Sequence, residues 1–308
     1  LICVYDDNRI TIDGSTALTF SDDTVKRFEA YGWHVEDIGE AADDLDALEA
    51  ALLRAKAVDD RPSLIILRSH IGAPSPDLTD THEAHGNPFT AEHVTATKKV
   101  MGIPDEAFWA PADLVSAYRN HVAARAAESM DAWRGAVGSR ETVIVESMSV
   151  LAPEGWHSCL PSFGDDTNLA TRQAFQKALE ASRDVLPAVM SGAADLTGNT
   201  GAQLDGKNAF TASNNSGRQV YYGIREHAMG AAIVGMALHG GVLPVAGTFF
   251  VFADYMRPSI RLAALSGAHC VFVFSHDSVG VGEDGPTHQP IEQLATLRAI
   301  PGLNVIRP

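Results

Sequence analysis

Basic residues are scarce in this chain: 23 Lys and Arg stand against 39 Asp and Glu, for a formal net charge of −16. Polyanion surfaces are held by clustered positive charge, so this balance argues against nucleic-acid binding and against a membrane-surface role. Small anions stay open as ligands, because a few local Arg and His side chains suffice to hold a phosphate. Cysteine is nearly missing too. Cys3, Cys159 and Cys270 are scattered among apolar neighbours, which fits a reducing cytoplasm and suggests neither a disulfide framework nor a zinc site. No apolar run is long enough to span a bilayer, and signal-peptide patterns, internal repeats and low-complexity tracts are absent.

What is present supports folded cores. Apolar residues fill 45% of the 308 positions, and at roughly 150 residues per domain the length predicts about two domains. From Leu1 to about Gly102, strand-like and helix-like runs alternate. LICVYDDN reads as a strand, FSDDTVKRFEAYG as a helix with Ser21 as N-cap, and HVEDIG as a short strand. DDLDALEAALLRAKA then reads as an amphipathic helix with Leu45, Leu48, Leu52 and Ala55 on one face, and PSLIILRS as a buried strand. Such alternation predicts an α/β fold with a parallel sheet covered on both faces.

Pro104 to about Gly138 reads as a helical connection, and the Pro- and Gly-bearing stretch after it as a linker. A second α/β unit begins near Asn168 with the helix LATRQAFQKALEAS and the run VLPAVMSGAADL. Glu226 to His239 is a helix dense in Ala, Gly and Met, closed by Gly240-Gly241, and VLPVAGTFF and AHCVFVFSH are further strands. The opening LICVYDDN and the closing GLNVIRP are both strand-like without lead-in or continuation, so the chain reads as a piece of a longer polypeptide.

The densest chemistry lies in HDSVGVGEDGPTHQP, from His276 to Pro290, directly after the apolar run AHCVFVFS. Ligands collect at the carboxyl ends of such strands. His276, Asp284 and His288 stand there, with Gly280, Gly282 and Gly285 letting the backbone approach a ligand. Thr287 to Ile291 is expected to start a helix, with Pro290 in its first turn.

Other residues each carry two readings. Asp6, Asp7, Asn8 and Ile10 after the first strand supply oxygens suited to Mg²⁺, or form a turn without metal. His85 lies in a polar loop with His82 and His93 near it, and composition does not choose among them. Arg172, in the first turn of a helix, holds a phosphate or pairs with Asp165 or Asp166. Glu226 caps its helix or relays a proton with a raised pKa. Phe249, Phe252 and Tyr255, spaced by three, are core or the wall of a ring-binding pocket.

Taken in order, DDNRITIDG, EAYGWHVEDI, AHGNPF, NLATR, ADLT, YGIREHAMG, GTFFVFADY and HDSVGVGEDGPTHQP resemble the transketolase family across nearly the whole chain. The resemblance implies two parallel-sheet thiamine-diphosphate-binding domains, both incomplete, joined by a helical linker. Residues 1–140 are the C-terminal part of the diphosphate-binding domain with its helical connection, residues 141–165 a linker, and residues 166–308 the N-terminal part of the pyrimidine-binding domain. It implies transfer of a two-carbon ketol unit between phosphorylated ketose and aldose substrates, in the pentose phosphate pathway, by a cytoplasmic homodimer. The cofactors implied are thiamine diphosphate and Mg²⁺, or another divalent cation such as Ca²⁺ or Mn²⁺. The 308-residue chain alone is expected to be inactive.

Residue by residue, the resemblance gives Asn8 and the Ile10 carbonyl to the metal, and His85 to the diphosphate and the reacting centre. Asp195 and Leu196 lie against the thiazolium side, Glu226 bonds the aminopyrimidine, and Phe249, Phe252 and Tyr255 line its pocket. Arg172 and His276 bind the sugar phosphate, Asp284 the C2 hydroxyl, and His288 the donor's carbonyl end. Three departures stand out: Gly198-Asn199-Thr200 replaces a family serine, IGAPSP a glycine-rich turn, and His70 a threonine. A dihydroxyacetone synthase, which accepts formaldehyde, and a non-catalytic transketolase-like binding protein are the alternatives.

Overall fold

Each of the two α/β units anticipated from the alternating pattern contains a parallel sheet. The structure, a computed structural model, describes residues 1–140, 142–143, 148, 150, 152–204, 206 and 208–308. Much of the first part of the expected linker, within residues 141–151, lies outside the described residues. Backbone contacts divide the chain into Leu1–Arg125 and Ala126–Pro308.

The first unit contains β1 (Ile2–Asp6), β2 (Ile10–Thr11), β3 (Gly14–Ser15), α1 (Thr24–Ala30), β4 (His34–Asp37), α2 (Leu45–Ala57) and β5 (Ser63–Leu67). The one-turn α3 (Glu83–Gly86) and α4 (Ala91–Met101) follow, and α5 (Ala112–Val137) runs through the boundary. Its main sheet has the order β1-β5-β4, with every pair parallel. Ser63 to Ile66 of the middle strand are buried, which is why that run reads as continuously apolar. Ile65 clusters with Ala51 and Ala55 of α2.

Two local expectations fail here. The cap of α1 is Asp23, not Ser21, and its carboxylate accepts the Lys26 backbone N–H at 3.0 Å. An ionised acceptor also suits the positive end of a helix, so Asp23 outcompetes the earlier hydroxyl. In α2, Ala55 is buried and Leu52 packs beside it as expected, together with Ala51, but Leu45 is 74% exposed. Leu45 is the first helical residue, more than one turn ahead of the face that meets Ile65.

The second unit contains α6 (Thr171–Ser182), β6 (Val189–Ala193), α7 (Thr197–Thr200), β7 (Gln219–Tyr221), α8 (Glu226–His239), β8 (Leu243–Phe249), α9 (Ala253–Leu265), β9 (Val271–Ser275) and α10 (Gln293–Arg298). All strands are parallel, in the order β7-β6-β8-β9. Met229 and Ile233 of α8 pack with Phe250, and with Met256 and Ile260 of α9, in its main core. A Cβ on Gly230 would sit 2.9 Å from the Ser259 Cβ, so the glycine lets α8 and α9 approach closely.

Strand β7 was not anticipated. It is three residues long and led by buried Gln219, whose side-chain carbonyl accepts the Leu204 N–H at 2.8 Å. Strand β9, expected to be buried, is an edge strand with Val271 exposed. Pro286 opens a 3-10 turn over Pro286–His288, and helix α10 begins only at Gln293 rather than within Thr287–Ile291. The closing GLNVIRP carries no strand; there Arg307 Nε pairs with Asp277 at 2.6 Å.

Candidate functional site

The four strands of the second unit deliver their carboxyl ends to one edge, and the expected site residues follow those ends. Asp195 and Leu196 come after β6, Glu226 opens α8 after β7, Phe249 ends β8, and His276 follows β9. Parallel α/β sheets bind ligands at this edge. Asp195 and His276 both hold left-handed backbone, with φ of 62° and 53°. Such strain costs on the order of 1–3 kcal/mol per residue and collects at working sites.

An aromatic wall stands on β8 and its extension. The rings of Phe249 and Phe252 stack at 5.8 Å with planes 19° apart, and Tyr255 lies 5.8 Å from Phe252. The His276 ring sits 3.8 Å from Phe249, and His288 stands edge-on 5.3 Å from Phe252. Phe249 is buried and Tyr255 is 65% exposed, so the stripe is core at one end and open wall at the other.

Each imidazole is oriented by the residue just before it. Ser275 Oγ lies 3.0 Å from His276 Nδ1, and Thr287 Oγ1 lies 2.9 Å from His288 Nδ1. With the hydroxyl donating, Nε2 carries the hydrogen and serves as a donor. The sequence reading missed these hydroxyls, although a Ser or Thr directly ahead of each loop histidine was the available signal. Burial pushes the His276 pKa below the usual imidazole range, and the Arg172 charge adds to this while Asp284 opposes it. This shift favours the neutral imidazole, with Arg172 and Asp284 close enough to be felt.

Arg172 lies in the first turn of α6 and makes no ion pair with Asp165 or Asp166 among the described residues. Gly201 presses on the same turn: a Cβ there would sit 2.4 Å from the Arg172 carbonyl oxygen. In the adjoining α7, Thr200 is fully buried and gives its hydroxyl to the Leu196 carbonyl at 2.9 Å. Asn199 is exposed. Glu226 is half-buried at the first position of α8.

In the first unit, Asn8 Oδ1 accepts the Ile10 N–H at 3.0 Å, which folds the chain after β1 into a tight turn. A Cβ on Gly86 would sit 3.9 Å from Ile12 Cγ1, so the α3 turn bearing His85 lies against the β2–β3 hairpin. His85 is exposed on this helical turn, whereas His93 belongs to α4 and faces Phe89 edge-on at 6.2 Å. His70 is held between carboxylates, with Nδ1 2.7 Å from Asp80 and Nε2 3.2 Å from Glu40. Those hydrogen bonds raise its pKa. A hollow of about 660 Å³ beside it is walled by Glu40, Asp43, Asp44 and His70, and has none of the aromatic chemistry of the second unit.

The aromatic wall fits a flat heteroaromatic ring, because it offers stacked faces with imidazole donors at their margin. No group of three His, Cys, Asp or Glu suited to a metal occurs among the described residues. The Asn8 side-chain oxygen and the Ile10 carbonyl are oxygens of the kind that hard cations take.

Two family models match the chain. Residues 1–151 match the family model for the transketolase thiamine diphosphate binding domain, and residues 167–308 that for the transketolase pyrimidine binding domain. A transketolase of Aquifex aeolicus is 43% identical over 100% of this chain and 45% of its own length. A transketolase of Mycobacterium leprae is 41% identical over 100% of this chain and 46% of its own. The structure of transketolase from Leishmania mexicana superposes with a TM-score of 0.91 at 36% identity, covering 100% of this chain and 47% of that one. A Pichia stipitis transketolase in complex with sedoheptulose-7-phosphate gives 0.88 at 36% identity, over 98% of this chain and 46% of that one. The chain spans about half the length of the curated relatives it matches.

Proposed function

The chain belongs to the transketolase family, and from that premise we propose that the intact protein moves a two-carbon ketol unit from a phosphorylated ketose to a phosphorylated aldose. The observation that carries this reading is one sheet edge holding an aromatic wall, two oriented imidazoles and a helix-borne arginine. When bound, thiamine diphosphate supplies a nucleophilic carbon and an electron sink for the cleaved carbon–carbon bond.

The residues of the chain do the rest. Phe249, Phe252 and Tyr255 hold the aminopyrimidine ring, and Glu226 shares a proton with one of its nitrogens. Asp195 and Leu196 flank the thiazolium side. Arg172 takes the sugar phosphate with a guanidinium set at a helix N-terminus, where free N–H groups add to the attraction. Neutral His276 donates to the same sugar without adding a charge that would repel Arg172. Asp284 accepts from the C2 hydroxyl, His288 donates at the carbonyl end, and His85 contacts the diphosphate and the reacting centre. Anchoring the distant phosphate positions the reacting carbons.

The finer assignments belong to the same proposal. Asn8 and Ile10 contribute oxygens to Mg²⁺ beside the diphosphate. Residues 1–140 form the diphosphate side, 141–165 the linker and 166–308 the pyrimidine side. The working form is a cytoplasmic homodimer of the pentose phosphate pathway. Free Cys3, Cys159 and Cys270 support that compartment.

Ketol transfer from xylulose 5-phosphate by the intact protein tests the reading, with Arg172→Ala as the comparison. The variant is expected to lose about 1.5–3 kcal/mol in kcat/KM for phosphorylated donors, the worth of a charged hydrogen bond, and little for unphosphorylated ones. Equal losses for both donors would return Arg172 to a structural role. No transfer by the unaltered protein would overturn the reading.

A further inference from the structure

We propose that Gln293 is a positioning residue for His288, acting through a buried amide bridge to Asp254. The proposal rests on the ketol-transfer reading above only for the role of His288; the bridge stands on geometry.

Gln293 is 2% exposed, yet both ends of its amide are matched. Its oxygen accepts the Ile291 N–H at 3.1 Å, and its Nε2 donates to Asp254 Oδ2 at 2.8 Å. Asp254 lies in the first turn of α9, between Phe252 and Tyr255 of the aromatic wall. Ile291 lies three residues beyond His288 and is 76% exposed, so apolar burial of that side chain does not hold the segment. The bridge therefore fastens the end of the His288 loop to the turn that carries the wall. His288 itself meets that wall by its edge, 5.3 Å from Phe252 and 6.1 Å from Phe249. Edge contacts of this kind fix a ring only while both backbones hold still. A buried amide with both ends paired is costly to break, because each lost partner leaves a desolvated polar group.

The chemistry of the bridge can be reversed. Gln293→Glu sets a second carboxylate against Asp254 and breaks the link. Combining it with Asp254→Asn restores donor and acceptor in the opposite sense, while the Ile291 N–H keeps its acceptor. Asp254→Ala, at an exposed position, removes the acceptor without adding a second charge and leaves only the Gln293 Nε2 unpaired.

Two readouts are taken on the intact protein. The first is the ring-proton chemical shifts of His288, assigned by loss of signal in His288→Gln and recorded without added cofactor. The second is KM against kcat for xylulose 5-phosphate. Gln293→Glu and Asp254→Ala are expected to move the His288 signals toward exposed-histidine values as the Phe252 and Phe249 ring currents are lost. Donor KM should rise about tenfold, the worth of one hydrogen bond to a charged group, with kcat changing less. The combined variant should return both readouts toward the starting values. Unmoved His288 signals in the single variants, or signals still displaced in the combined one, would overturn the proposal. If Gln293→Glu does not fold, Asp254→Ala decides alone. If the unaltered protein shows no ketol transfer, the functional reading fails while the proton shifts still judge the bridge.

Discussion

His276 and His288 of the second unit each rest on phenylalanine and each have a hydroxyl oxygen at Nδ1. His85 of the first unit stands exposed on a one-turn helix, its ring without a hydrogen-bond partner among the described residues. The difference separates two ways of building a site. The second unit fixes ring planes and leaves Nε2 for a ligand before any ligand arrives, and such preorganisation lowers the cost of binding. The first unit fixes the backbone through the Asn8–Ile10 turn and leaves the His85 imidazole without such a support among the described residues.

Removing the packing beneath the oriented pair should cost most. Phe249→Ala empties a buried ring position under His276, and about 3–5 kcal/mol of folding stability should be lost in denaturant titration. A loss below about 1 kcal/mol would mean that the wall is not part of the core.

His85→Ala sharpens the contrast from the other side. Stability should change by no more than about 0.5 kcal/mol, as for an ordinary surface site. Ketol transfer by the intact protein should nevertheless fall by at least about a hundredfold, the usual worth of a positioned acid–base group. Full activity in that variant would remove His85 from the reacting centre.

The smallest effect belongs to His70, the imidazole of the first unit that is tied on both sides. Its raised pKa means that the folded state binds the proton more tightly than the unfolded chain. The stabilisation is therefore fully present below the ordinary imidazole pKa and is lost as pH rises through the raised value. His70→Gln should lower the melting temperature by a few degrees in mild acid and by less at alkaline pH. An equal drop at both ends of the range would show that the Asp80 and Glu40 contacts do not depend on charge.

The sequence made the sheets legible where burial wrote a continuous apolar run, as in Ser63–Leu67, or where a helix closed on glycine, as at Gly240. It hid β7, because a three-residue strand opening on a buried glutamine has no period to read. It misplaced the α1 cap because SDDT offers four capping side chains in a row, and only the geometry of Asp23 chooses between them. The candidate site residues of the second unit were proposed from the order of their motifs, and strand order sets Asp195, Glu226, Phe249 and His276 after the carboxyl ends of one sheet. The bridge from Gln293 to Asp254 was invisible, since it joins residues 39 apart whose types carry no pattern. His70 was visible as a departure but unexplained until its two carboxylate partners were located.

The most direct trial of the account is turnover of the intact protein carrying Glu226→Gln, measured with thiamine diphosphate at saturation. Glu226 is a half-buried carboxylate at the head of α8, and in the proposed proton-sharing role an amide cannot replace it. Ketol transfer is expected to fall by about a hundred- to ten-thousand-fold, with the melting temperature nearly unchanged. Near-normal turnover would contradict the proton-sharing role of Glu226 and with it the assignment of this sheet edge.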